Sequence, residues 1–266
     1  MDKDEEWWRG ISHLIFPQDD EIVFDEESHK YSLRSGHEFD RSVTALIKDY
    51  TTPFDPQKAV KTLSARTRDK WGGGTDEDIL ALWEAKGLQA RTEGTRMHKK
   101  IEDYLNTRVM TEFPEAKSVK NFTTQVLTAK CIHFYRAEMM VYTDRVLEGY
   151  TNPLIAGTMD LLGFNGAEFF IYDWKRTQHI KTSGYRKCKP PFQDYHDCDW
   201  TKYSMQLHIY RWILLKFYGV NVPVKNLFLV RFYQTDPYEL VPTIDLSREV
   251  DEMFKTHSFP EIKKTE

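Results

Sequence analysis

Between residues 139 and 175 the chain reads Met-Met-Val-Tyr, then Pro-Leu-Ile-Ala-Gly-Thr-Met-Asp-Leu-Leu-Gly-Phe, then Glu-Phe-Phe-Ile-Tyr-Asp-Trp-Lys, with Gly, Asn and Pro between the runs. Short runs of β-branched and aromatic residues bounded by turn formers read as strands, and consecutive strands demand a sheet. A strongly apolar stretch from Tyr203 to Tyr218 follows, too long for a strand, with Gly219 placed to end a helix; Asn226 to Gln234 then reads as a further strand. Strands alternating with a long apolar helix predict an α/β fold: a central mixed β-sheet flanked by helices.

The segment before residue 139 looks mainly helical. Thr75, followed by Asp76, Glu77 and Asp78, has the form of a cap with first-turn acids for a helix to about Gly87. A second helical stretch is expected over Leu88 to Leu105, with Gly94 as a candidate break, and a third over Ser118 to Arg136, where Phe122, Val126 and Ala129 keep helical spacing. Further upstream, Ser42 is placed to cap a helix over Val43 to Tyr50 that must end before Pro53, and residues 22–33 read as a hairpin turning at Asp25 to Ser28. The expected organisation is one elaborated domain over 1–266: a cover with the hairpin (1–75), a helical region (76–137) and the core (138–245).

At 266 residues and 40% hydrophobic, the chain has enough apolar material for one sizeable core. Runs such as Leu161 to Phe164 fall far short of the ~20 residues a membrane span needs, and the acidic Met-Asp-Lys-Asp-Glu-Glu start is unlike a targeting peptide. Cys131, Cys188 and Cys198 are an odd number without a tight repeat, which predicts free thiols in a reducing compartment. A soluble intracellular protein, cytoplasmic or nuclear, is the expectation, with no membrane partner. The net charge of −4 argues against a general polyanion-coating protein, so any grip on nucleic acid must be local.

Asp160 lies within the second expected strand, and Asp173 near the end of the third with Lys175 two residues on. Strand alternation puts Asp173 and Lys175 on one face and turns Trp174 away. Carboxylates at the tips of apolar strands, joined by an amine, suit a Mg²⁺ or Mn²⁺ site for phosphodiester cleavage, because these hard ions prefer oxygen ligands and acidify a bound water. A single Asp-x-Lys triplet matches often by chance, and the ordinary reading is a strand-end acid with a solvated lysine. Context counts against it: Asp173 and Lys175 end the apolar run Phe169 to Tyr172, Asp160 ends a run from Leu154, and the tips of buried strands are where sheet proteins place sites. The chain also carries Gly94-Thr-Arg-Met-His98-Lys-Lys-Ile-Glu102, Gly157-Thr-Met-Asp160, Asp173-Trp-Lys175 and Gln206-Leu-His-Ile-Tyr210.

In that order these motifs resemble the RecB-like and viral or phage exonuclease branch of the PD-(D/E)xK nucleases. His29-Lys-Tyr31 and Ser42-Val-Thr44 resemble an N-terminal signature of its phage-type members. The resemblance implies a restriction-endonuclease-like core, with one or two divalent ions held by Asp160, Asp173 and the main-chain carbonyl of Trp174. It implies His98 as an additional ligand, Lys175 orienting the attacking water, and Gln206 and Tyr210 beside the site, contacting the backbone of DNA or steadying Lys175. His98 and Glu102, like Gln206 and Tyr210, are four apart and share a helix face, which agrees with these roles. Some relatives carry an iron-sulfur cluster on four cysteines; three cysteines with none after Cys198 predict none here.

From Lys175 to Phe192 the chain holds Lys175, Arg176, Lys181, Arg186, Lys187 and Lys189 and no acid. This segment reads as a flap or groove wall for phosphates, with Tyr185 and Phe192 available for base stacking, and Arg96 near His98 is expected to line the same channel. The expected function is metal-dependent hydrolysis of linear DNA, single- or double-stranded, from an end, in replication, recombination or repair. An endonuclease or RNA-directed enzyme on the same site, or a catalytically silent nucleic-acid-binding module, stay open.

Overall fold

A computed structural model of the chain describes residues 21–256 apart from Glu27 and His29; the signature position His29 therefore lies outside the described residues. β1 (Ile22–Asp25) and β2 (Lys30–Leu33) form the expected antiparallel hairpin. β3 (Arg41–Ser42) leads directly into α1 (Val43–Asp49), where the Ser42 hydroxyl accepts from the Ala45 N–H at 3.1 Å as the expected N-cap. Two short helices that local periodicity did not reveal follow, α2 (Pro56–Lys61) and α3 (Ala65–Lys70), capped by Asp55 and Ser64.

Thr75 and Asp78 form a full capping box at the start of α4 (Asp76–Thr107). Here the expectation of two helices is corrected: α4 is one helix of 32 residues, running unbroken through Gly87 and Gly94. A helical glycine costs about 1 kcal/mol, which burial of Met97, Ile101 and Leu105 outweighs. The third expected helix is also corrected. α5 (Ala116–Phe122) passes into a π-helical turn (Thr123–Thr128), where the Thr123 and Thr124 hydroxyls bond back to the Val119 and Lys120 carbonyls, and β4 (His133–Tyr142) starts well before Met139. The aromatic run Phe134-Tyr135 joins the sheet because Phe134 pairs with Gly163, a long-range partner that local periodicity does not show.

β5 (Ile155–Phe164) and β6 (Phe169–Arg176) complete the predicted trio. Then come α6 (Asp199–Phe217), β7 (Leu227–Phe232), β8 (Glu239–Pro242) and α7 (Ser247–Thr256). α6 starts four residues earlier than expected and ends with Tyr218 as its cap; Gly219 follows at φ 68°, the left-handed position that closes such helices. The six-stranded sheet runs β3-β5-β6-β7-β8, with β4 on the other edge of β5. β3 and β5 are parallel, as are β6 and β7; β4–β5, β5–β6 and β7–β8 are antiparallel. The fold is thus α/β with a mixed sheet flanked by helices, as predicted. One core joins α1, α6 and α7 to Ile171 and Leu162; a second joins α4 and α5 to Tyr172, Trp174 and Phe232. No helix among the described residues is long and apolar enough to cross a membrane.

Candidate active site

The β5–β6 ladder ends at the pair Leu161 and Tyr172. In antiparallel register the next positions are Asp160 and Asp173, so the two acids stand where the strands part. Asp160 lies mid-strand with respect to β4 but just beyond the last pair of β5 with β6. Its Oδ2 accepts the Trp174 N–H in place of a lost ladder bond. The N–H and C=O of a strand residue leave on the same edge, so the Trp174 carbonyl faces the same gap. The Trp174 indole turns into the second core against Phe122 and Phe232.

On the other edge of β5, Ala137 and Met139 pair with Leu161 and Met159, which places Glu138 opposite Asp160. Carboxylates from β4, β5 and β6 therefore cross the sheet in one row. Glu138 is held at φ 49°, a left-handed conformation that a non-glycine residue rarely adopts inside a strand. His98, delivered by α4, places Nδ1 3.4 Å from Asp160 Oδ1 and 3.5 Å from Glu138 Oε1. The ligand atoms of His98, Glu138 and Asp160 all lie within 4.8 Å of one another. Two ligands on one ion with bonds of ~2.1 Å can be no more than ~4.2 Å apart, so the His98 separations fit and a small inward shift completes the set. The expected site residues did not include Glu138, which precedes the first expected strand.

Burial would push the His98 imidazolium down, but Asp160 and Glu138 together hold it up at about 10. Asp160 is buried, yet His98, Lys175 and the Trp174 N–H keep its carboxyl low. Glu138 is raised, mainly by burial, with His98 opposing. Burial also lifts Asp173 to about 7, against the pull of Lys175. Lys175 resists the same burial because Asp173 and Asp160 stabilise its ammonium.

Lys175 Nζ lies 2.6 Å from Asp173 Oδ2, donates to Gln206 Oε1 at 3.2 Å, and sits 4.4 Å from the Tyr203 ring centre. The ion pair is short and both Asp173 oxygens are buried, so Lys175 is the cation that faces this carboxylate. Gln206 Nε2 donates in turn to Tyr210 Oη at 3.2 Å, so both α6 residues join the lysine as the helix spacing anticipated. Gly157 makes this possible: a Cβ there would stand 2.8 Å from Tyr210 Cε1 and 3.0 Å from Val43 Cγ2. Tyr31 reaches the same strand, its Oη 3.0 Å from Thr158 Oγ1.

The expected substrate-gripping residues divide. Arg176 does not face a channel: its guanidinium is held by Glu93 at 2.6 Å and by the buried Glu115 at 2.9 Å. Lys181, Arg186 and Lys187 are exposed on the irregular strap after β6, where Lys187 Nζ donates to the Asp194 carbonyl. Tyr185 on the strap is fully exposed, whereas Phe192 is buried against Tyr50 and is unavailable for stacking. Arg96 lies with Lys100 and Lys117 on a cleft of about 690 Å³. Glu102 pairs with Lys99 at 3.0 Å. Cys188 Sγ donates to the His196 carbonyl and Cys198 Sγ lies 3.4 Å from Thr201 Oγ1. Neither a protein-family model nor a curated protein matches this chain.

Proposed function

We propose that the chain is a divalent-metal-dependent nuclease of the PD-(D/E)xK type that hydrolyses phosphodiester bonds of DNA from an end. The observation that carries this reading is the row of carboxylates from Glu138, Asp160 and Asp173 across three strands, with His98 against its Glu138 and Asp160 end and Lys175 against Asp173. Carboxylates that converge beside a histidine suit a divalent cation, and one imidazole with several carboxylates is a donor set that Mg²⁺ or Mn²⁺ accepts.

A cation held by His98, Glu138, Asp160 and Asp173 would supply an acidified water and offset charge on the phosphorane. Lys175, kept as an ammonium, has no lone pair with which to take the water's proton. It donates through Nζ, to the nucleophile or to a non-bridging phosphate oxygen, and Asp173 and Gln206 aim it. Lys175, which only donates, requires the Gln206 oxygen, and this turns the Gln206 Nε2 towards the Tyr210 hydroxyl, which accepts from it.

The test is degradation of end-labelled linear and closed circular DNA, single- and double-stranded, with an RNA control, in Mg²⁺, Mn²⁺ or EDTA. Linear DNA is expected to be lost only with metal, and Lys175→Ala to slow the loss ~10²–10³-fold, the usual effect of removing one preorganised donor. Cutting of circles would replace the exonuclease with an endonuclease, preference for the control would make RNA the substrate, and binding without turnover in either metal would leave a nucleic-acid-binding module.

A further inference from the structure

A groove of about 510 Å³ opens beside the catalytic lysine, between α1 and α6. Gln206 and Tyr203 form its inner end, and these are the side chains that touch Lys175 Nζ. Its outer wall is Phe54, 72% exposed, whose ring tilts against Trp83 at 5.8 Å. Ile47 lines it from α1, with the Thr52 hydroxyl nearby. Of its two lysines, Lys202 is paired with Asp197 at 2.8 Å, whereas Lys48 has no ion-pair partner among the described residues.

This combination is what a nucleotide asks for: aromatic faces for a base, hydroxyls for base or sugar edges, and a cation for the adjoining phosphate. The volume lies in the ~300–1,000 Å³ range of small-molecule sites, enough for a nucleotide unit. A base inside a duplex is stacked on both faces and paired along its edge, so it can lie against Phe54 only when unpaired. We propose that this groove binds the unpaired base and sugar of the nucleotide adjoining the scissile phosphate, so that the protein acts on single-stranded ends. The inference rests on the nuclease reading. Phe54 supplies the stacking face, Lys48 neutralises the next phosphate, and Tyr203 and Gln206 connect the occupied groove to Lys175.

The test uses the full chain and oligonucleotides carrying 2-aminopurine at either end, offered single-stranded or as a blunt hairpin. Binding is followed by fluorescence in Ca²⁺, and cleavage separately in Mg²⁺. Wild type is expected to quench the single-stranded probe, and Phe54→Ala to abolish the quench and weaken binding about tenfold, equivalent to about 1.4 kcal/mol. Phe54→Trp should restore both, and Lys48→Ala should weaken binding without removing the quench. Phe54 is largely exposed, so its replacement does not threaten the fold, which a melting curve checks. Wild-type binding and cleavage by Phe54→Ala would overturn the groove assignment and leave the nuclease standing, as would equal loss on the blunt hairpin. Absence of binding and turnover in the wild type would overturn the nuclease reading with it.

Discussion

Glu138 adopts φ 49° in the middle of β4, opposite Asp160 and 3.5 Å from His98. A non-glycine residue in that region costs about 1–3 kcal/mol, and the surrounding ladder holds it there. Replacement by asparagine, which tolerates this conformation, is expected to leave the melting temperature unchanged or raised while metal affinity, measured by calorimetry, falls at least tenfold. A fall in both would make Glu138 an ordinary structural residue. His98, Asp160, Asp173, Lys175, Gln206 and Tyr210 were named beforehand because their motifs resemble those of a nuclease family, and strand alternation and four-residue helix spacing agreed with that choice. Glu138 was left out, because its place depends on pairing opposite Asp160 and on a backbone angle that no residue type announces. Arg176 misled for the converse reason: an arginine among basic neighbours looks solvated until Glu93 and Glu115 arrive from other elements.

At the scale of elements, Arg176 joins β6 to α4 and to the start of α5, since Glu93 lies on α4 and Glu115 caps α5. It thereby fixes the helix that delivers His98. With Arg176 9% exposed and Glu115 2%, Arg176→Met strands a buried carboxylate and should destabilise by about 3–5 kcal/mol, seen as a lowered urea midpoint at unchanged slope. Pairing it with Glu115→Gln should recover a large part. A loss below about 1 kcal/mol would show that the network is not holding these elements. The capped starts of α1 and α4 were readable because a cap is a contact between residues three apart. The unbroken course of α4, the early start of β4, and β8 and α7 were not, because packing and strand pairing across the chain decide them.

For the whole molecule, the sheet separates two cores, and His208 lies buried where α6 meets the segment leading into α7. Its Nε2 accepts the Leu246 N–H at 3.3 Å, which requires the neutral ring, and burial lowers its pKa to about 4. The unfolded chain, with histidine near 6.5, binds a proton between those values that the native state does not. Stability from this group is therefore complete above about pH 6.5 and is lost as the pH falls towards 4. Unfolding free energies of wild type and His208→Gln should converge over that window; parallel curves would refute the assignment. The sequence by itself determined the strand trio, the apolar helix α6 and the α/β class, because period and spacing act over a few residues, while the acidic and basic groups of the candidate site were named from motifs that resemble those of a family. Only the tertiary structure decided where the β5–β6 ladder stops, that Glu138 faces Asp160, that Arg176 is a brace, and that a groove opens beside Lys175. Those depend on contacts between residues far apart in the chain, whose geometry exists only once both sides of the sheet are packed.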